Sequence, residues 1–600
     1  MSLARRKISL ISLLLAAALS AAPLPAAQDT AAAREGYWSA AQRRAVLDAT
    51  RTLRLAPDLS QLGPGERAAV GHLLAAGALV QTAYERQVHP ESAQALATIQ
   101  ALPAGVERDE LLELYRLFKG PIATTLDNTR EAFVPVAPVR AGKGVYPADL
   151  TREAFDAYLV AHPQQRAALL EPLSVVRRAT TANLRADLAW LDTYPVLDTL
   201  HPGLRKRLEG ASADPGRLYA LPYSVAFARE TMAIYGHLHA AADAVQAEDA
   251  EFAGYLRARA RDLLADDYEG GDAEWVTGNF RRLNAQIGAY ETYDDELYGV
   301  RAFYSMAILV RRPAESDAVA AALGGLQAIH DALPVKFERQ VRERIPVGVY
   351  DVVADFGQAR GGNTATILPN DATHARRYGR VIMMRDNIVR HPETAGVVAS
   401  TWAAAIVPAQ HADLVADASV QRTLWHEIGH YLGVDRTSDG RELDQALQSS
   451  ADLLEELKSD LVALDSVPRL AASGYYSDAQ AHAVYASGIL RVLQRNRPRR
   501  DQPYNTMQLM QWNWFLDRGV LRLDPLTQRM QIDYGKYPAA VNALLAEVLA
   551  LQAAGDPVRA EAFVTRWTAW DPALHEVIAQ RVRGSLKFRY AQYRYAALDE

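Results

Sequence analysis

Not one of the 600 residues is a cysteine, and that absence narrows how the chain can hold itself together. Disulfides and thiolate–metal bonds are both ruled out. Stability has to come from buried apolar surface, and any metal has to be held by histidine and carboxylate. Apolar residues are in good supply: 49% of the chain is hydrophobic and 23% charged, the balance of a globular protein rather than a disordered one. A chain of 600 residues exceeds what one core normally serves, which predicts two or more lobes. The formal net charge of −6 spreads no positive field, so nucleic acid is not an expected partner.

The first residues differ in kind from the rest. Arg5, Arg6 and Lys7 precede an apolar run over 8–19, and Ala22 and Ala27 offer cleavage positions. This is the pattern of a secretory signal peptide over 1–27. Export to a periplasm or to the medium is expected, with no membrane contact after cleavage, since no later stretch reads as a span. Residues 28–215 form an expected N-terminal helical region, with apolar residues at helical spacing among Ala, Arg and Glu. Residues 216–418 are expected to be a β-containing substrate lobe. There Val, Ile, Tyr and Thr gather in short runs at 345–356, 365–368 and 379–384, between Gly and Pro. Helical patterning returns over 419–600, the expected catalytic lobe. The fold class that follows is α+β, predominantly α-helical.

Within that last region stands His426-Glu-Ile-Gly-His430. Ser419 suits an N-cap and Gly433 a C-terminal stop, so the motif belongs on a helix. Residues i and i+4 share a helix face, which points His426 and His430 at one ion. Glu427 is rotated by about 100° from His426 and falls beside the ion, placed to take a proton from water. A third ligand is available 26 residues on, at Glu456, within a helix that opens on a Ser-x-x-Asp capping pattern. Alone, Glu455-Glu456-Leu-Lys458 would read as a solvated, ion-paired helix face. Beside the histidine motif it reads as a ligand helix, folded back through the loop at 434–448. Asp460, one turn beyond Glu456, can accept the outer N–H of a ligand histidine. Two histidines, one glutamate and a water form the ligand set of a catalytic zinc.

These residues resemble the dipeptidyl peptidase III family of zinc exopeptidases. Most of that family carries a six-residue His-Glu-x-x-Gly-His motif. The five-residue form found here is that of a bacterial subgroup. Glu455-Glu456-Leu-Lys-Ser-Asp460 is similar to the family's Glu-Glu-x-x-x-Asp/Glu, whose second Glu is the zinc ligand, leaving Glu455 and Asp460 around it. Ile287-Gly-Ala-Tyr-Glu-Thr-Tyr-Asp294 resembles a segment whose Glu, here Glu291, helps hold the substrate N-terminus. Its Tyr, here Tyr293, stabilises the transition state. Leu368-Pro-Asn-Asp371 resembles a strand whose Asn, here Asn370, contacts the substrate backbone. The stretch 482–493 resembles a helix that supplies a transition-state His and a cleft Arg, here His482 and Arg491. The resemblance runs over roughly 280–530. It breaks at Ile367, where the family has Asn, and at Ser305, where it has a second acid.

The resemblance implies two lobes around a cleft, a helical zinc lobe and a smaller β-containing lobe, with one zinc per chain and a short peptide as substrate. Glu427 would be the general base, and Tyr293 and His482 would donate to the developing oxyanion. Release of dipeptides from N-termini is the expected reaction. One alternative is a thermolysin-like endopeptidase, because Glu456-Leu-Lys-Ser-Asp460 also fits that group's Glu-x-x-Ser-Asp pattern. Another is a non-catalytic periplasmic zinc- or peptide-binding protein.

Overall fold

The computed structural model describes residues 34–599, apart from 337–339, 342–344, 360–361, 416, 495–496 and 498–502. The expected signal peptide lies outside the described residues. Early in the chain, Thr50–Leu55 (β1) is followed by the long helix Pro64–Val88 (α1). Ala228–Val245 (α2) packs against both α1 and Ala250–Ala265 (α3), and Glu269–Thr277 (α4) leads into a sheet.

The sheet contains Leu283–Glu291 (β2), Phe303–Arg311 (β3), Val347–Gly357 (β4), Ala365–Leu368 (β5) and Val381–Arg385 (β6). A short helix, Ala372–Arg377 (α5), lies between β5 and β6. The strand order is β2-β3-β4-β6-β5. Pairs are antiparallel except β4 with β6, where Ile382 stands opposite Val347 in a parallel ladder. This order leaves β5 as an edge strand. The expected runs at 345–356, 365–368 and 379–384 correspond to β4, β5 and β6. β2 and β3 are strands the sequence did not suggest. Eight of the nine residues of β3 are buried, so both its faces are covered and the alternation that marks a strand is missing.

Helix α1 lies directly on β3 and β4. Gly77, midway along it, costs about 1 kcal/mol of helix propensity relative to Ala. A Cβ there would come within 2.2 Å of the Phe356 ring, so the missing side chain is what permits the close approach.

Beyond the sheet come Ala418–Gly429 (α6), Ala451–Asp465 (α7), Asp478–Gln494 (α8), Pro503–Asp517 (α9) and Tyr537–Ala554 (α10). Helix α7 is central and touches the other four. Leu454, Leu457 and Leu461 are buried along it, and so are Lys458, Ser459 and Asp460. Helix α10 is 18 residues long with a mean hydropathy of 1.3, enough to span a bilayer by length and composition. No such stretch was expected from the sequence. Its Val541, Leu544, Leu545, Val548 and Leu549 are fully buried in the core shared with α7, which accounts for the composition. The last strand, Tyr590–Tyr595 (β7), returns to pair in parallel with β1, Thr50 opposite Tyr590 and Leu55 opposite Tyr595.

The molecule is α+β, mainly helical, with two principal cores. The first runs from Leu55 to Ile388 and takes in Tyr595, so the boundary expected at 215/216 falls inside a single core. The second begins at Val319, ahead of the boundary expected at 418/419. The reason is that the sheet is a shared wall. Along β6, Val381 and Met383 point into the first core, and Ile382 and Met384 into the second.

Candidate metal centre

Helix α6 starts at Ala418 with Asp417 in the N-cap position, rather than at Ser419. His430 follows its last residue but keeps right-handed helical angles, φ −62° and ψ −22°, so the i, i+4 relation to His426 survives. The glycine between the two histidines has a steric role. A Cβ on Gly429 would sit 2.8 Å from the Ser459 carbonyl oxygen and 3.0 Å from its Cα. Only glycine lets α6 cross α7 closely enough for Glu456 to reach the imidazoles. The crossing is fastened by Lys458, whose buried ammonium donates to the carbonyls of Gly429 and Leu432, each at 2.9 Å. Those are unpaired carbonyls at a helix end, where a cation is favoured.

Three atoms converge in the resulting space. Glu456 Oε2 lies 3.2 Å from His426 Nε2 and 3.9 Å from His430 Nε2, and one atom from each residue falls within 4.8 Å of the others. Ligand atoms about 2 Å from a tetrahedral ion stand about 3.4 Å apart, so this spacing suits a small divalent cation. Glu456 Oε2 is buried and has no hydrogen-bond partner, an arrangement costly for a carboxylate unless a cation takes its place there. Two nitrogens and one oxygen are also one ligand short of a closed structural site.

The outer atoms of the ligands are all held. His426 Nδ1 is 2.7 Å from Asp460 Oδ1. His430 Nδ1 is 3.0 Å from both Glu455 Oε1 and Ser459 Oγ. Asp460 also accepts from Arg422 (3.1 Å), Arg491 (3.0 Å) and Gln511 (3.4 Å). Burial works against its charge, but Arg491, His426 and Arg422 overcome that and hold the carboxyl far below its usual range. In turn, burial disfavours the His426 imidazolium, yet Asp460 outweighs it and raises that group to about 9. Glu455, opposed by burial and favoured by Lys458 and His430, is held down to about 2. Glu427 is half-buried, within electrostatic reach of His426, and has no hydrogen-bond partner among the described residues.

The other expected residues are distributed as follows. Glu291 ends β2, and Tyr293 lies just beyond it, 76% exposed, against the Glu291 carboxylate and within electrostatic reach of Glu456. The base of that loop is pinned. Asp294 binds Tyr84 (3.0 Å), Lys143 (3.2 Å) and Gln358 (3.0 Å), and Asp295 accepts from Tyr146 at 2.8 Å. Asn370 is exposed after β5, next to Asp371, which caps α5. Helix α5 is tied to α4 by His374 with Asp272 (2.9 Å) and Arg377 with Glu269 (2.7 Å).

Arg491 and His482 have protein neighbours of their own. Arg491, read as a partner for a substrate carboxylate, is engaged by Asp460 behind the metal ligands. His482, read as an oxyanion donor, packs at a tilt against the Tyr534 ring and lies 3.4 Å from Asp413. It sits nine residues before Arg491, about 13 Å along α8, because a helix rises about 1.5 Å per residue. Of the two departures, Ser305 is buried between Gln286 and Gly288, inside the sheet, and Ile367 packs on the second core. Two neighbours of the site were not foreseen. Arg422 shares the face of His426 at i−4, a spacing visible in the sequence. Tyr504, whose hydroxyl donates to Glu456 Oε1 at 3.2 Å, belongs to no motif.

No family model matches the chain. Over 438 residues it is 25% identical to Nudix hydrolase 3 of Arabidopsis thaliana, a match covering 71% of this chain and 54% of that protein. The chain therefore spans about half the length of that curated relative. Among solved structures it is similar to dipeptidyl peptidase III from Caldithrix abyssi, with a TM-score of 0.76. It is also similar to dipeptidyl peptidase III from Corallococcus sp. strain EGB, with a TM-score of 0.71. Each comparison gives 22% identity and covers 93% of this chain and 98% of the other. The chain shares their fold across nearly its whole described length.

Proposed function

We propose that this chain, built on the dipeptidyl peptidase III fold, is a zinc-dependent peptidase that removes dipeptides from the N-termini of short peptides. The observation that carries the reading is the convergence of His426 Nε2, His430 Nε2 and Glu456 Oε2 within electrostatic reach of Glu427. A structural metal would have no use for Glu427, which weighs against a non-catalytic binding protein.

A zinc ion on these residues would supply a Lewis acid for the scissile carbonyl and lower the pKa of water toward neutrality. Glu427 takes the proton of the attacking water and returns it to the amine nitrogen as the C–N bond breaks. Tyr293 turns its phenol toward the carbonyl oxygen as negative charge gathers there. The free edge of β5 offers backbone donors and acceptors to an extended peptide, an added strand that needs no particular side chains. Asn370, at the end of that edge, adds a contact to the peptide backbone. Glu291 faces the peptide's ammonium end, and an acid there favours a free N-terminus over internal cleavage. The relative named Nudix hydrolase 3 is matched over about half its length, so its name brings no reaction to this site. We also propose that the chain is exported with loss of residues 1–27, which N-terminal sequencing of the mature protein would check.

Glu427→Gln keeps the shape of the side chain and removes the base. The expected result is a protein that still binds one zinc per chain but turns over peptides roughly 10²–10⁴-fold more slowly. A fully active variant would sink the assignment. Tetra- to octapeptides with free and acetylated N-termini separate the modes of cleavage. Equal cleavage of both sets would favour the thermolysin-like endopeptidase.

A further inference from the structure

We propose that Tyr504 is a positioning residue of the metal centre, acting with Arg491 as a brace between two of its ligands; the inference rests on the zinc reading above. Each oxygen of Glu456 has a separate assignment. Oε1 accepts from the Tyr504 hydroxyl at 3.2 Å, and Oε2 is buried facing the two imidazoles, 3.2 Å from His426 Nε2 and 3.9 Å from His430 Nε2. The hydroxyl thereby decides which oxygen is offered to a cation and holds the carboxylate in a one-oxygen mode. The ring of Tyr504 is held in turn, with the Arg491 guanidinium 5.4 Å from its centroid, a cation–π contact. The same guanidinium donates through Nε to Asp460 Oδ2 at 3.0 Å, and Asp460 Oδ1 holds His426 at 2.7 Å. One arginine thus connects the support of His426 to the support of Glu456, across α7, α8 and α9. This gives Arg491 a structural role at the back of the metal site.

The brace predicts an effect on metal binding that does not depend on turnover. Metal-free wild type, Y504F and Y504L are titrated with Zn²⁺ in competition with a chromogenic chelator, and with Co²⁺ while its visible absorption is followed. Loss of a group that orients a metal ligand typically weakens binding 10–100-fold. For Y504F we expect about a tenfold loss of Zn²⁺ affinity. Its Co²⁺ spectrum should shift and weaken as Glu456 becomes free to bind through both oxygens, while the metal-free melting temperature stays unchanged. Y504L, which also removes the ring beneath Arg491, should lose more. Wild-type affinity and an unchanged Co²⁺ spectrum in Y504F would overturn the brace, as would a loss confined to Y504L. A wild-type chain that takes up no zinc at all would overturn the zinc reading and the brace together.

Discussion

The two sides of the site are held to different tolerances. On the metal side, the outer nitrogens of both histidines, Asp460 and one oxygen of Glu456 are all engaged, most of them in buried surroundings. On the facing side, Tyr293 is 76% exposed and Asn370 projects from the end of an edge strand. The loop that carries Tyr293 is anchored at its base by Asp294 and Asp295, yet its tip stands open. The difference fits the two tasks. Bond breaking needs groups placed to a few tenths of an ångström before substrate arrives, because repositioning them would be charged to the barrier. Peptide recognition has to admit many side chains, so it relies on a backbone edge and one acidic residue, and order can come with the ligand; Tyr293, which acts in bond breaking from this open side, is the one catalytic group that substrate has to order.

This contrast can be broken from either side. The largest effect is expected from Tyr293→Phe, which removes one donor to the developing oxyanion. A fall in kcat of about 10²-fold with KM little changed is the expected result, since such donors are typically worth about 10²–10³. Steady-state kinetics on a tetrapeptide with a free N-terminus measures both, and a change confined to KM would assign Tyr293 to binding instead. On the metal side, Asp460→Asn should weaken zinc roughly 10–100-fold, because the charged acceptor that fixes the His426 ring becomes a neutral amide. Chelator competition reads that directly. If Asp460→Asn and wild type hold zinc equally, the tight side is not tight for the metal's sake.

A smaller effect tests whether burial alone or partners decide the state of a carboxylate. Asp266 in the first lobe has an 8% exposed side chain, against 4% for Asp460, and among the described residues no arginine is paired with it. Burial pushes it up to about 7, opposed by the Ser224 backbone N–H at 2.9 Å, with His201 3.7 Å away. Its folded value lies above the unfolded value of about 3.9, so the stability it contributes is complete below about pH 4 and is lost as pH rises through about 7. Asp266→Asn removes that loss. Relative to wild type, the variant should gain roughly 4 kcal/mol between about pH 4 and pH 8. Melting temperatures across that range check it, and a difference that stays flat with pH would contradict the charge argument. Asparagine also tolerates the left-handed backbone at this position, φ +51°.

How much could be read from the chain itself follows a physical line. The metal motif, its helix and the partner Glu456 were legible because a ligand pair at i, i+4 depends on local helix geometry alone. The edge strand β5 was legible because a short β-branched run between turn residues signals itself. β3 was not, since a strand covered on both faces loses its alternation. Taken alone, Glu455-Glu456-Leu-Lys458 on α7 reads as a solvated face, and only the histidine motif makes it a ligand helix. Its Lys458 is buried only because the end of another helix, distant in sequence, presents two carbonyls to it.

The sequence by itself determined the donor chemistry, with no thiolate to compete and histidine and carboxylate at helical spacing, and it determined that Gly429 would leave α6 bare on one side. Folding in three dimensions decided what filled that bare side. It also gave Arg491 to Asp460, Tyr504 to Glu456, and His482 to Asp413 and Tyr534. Contacts of that kind depend on how helices cross, which is set by the summed packing of both cores, and no single stretch of residues encodes it.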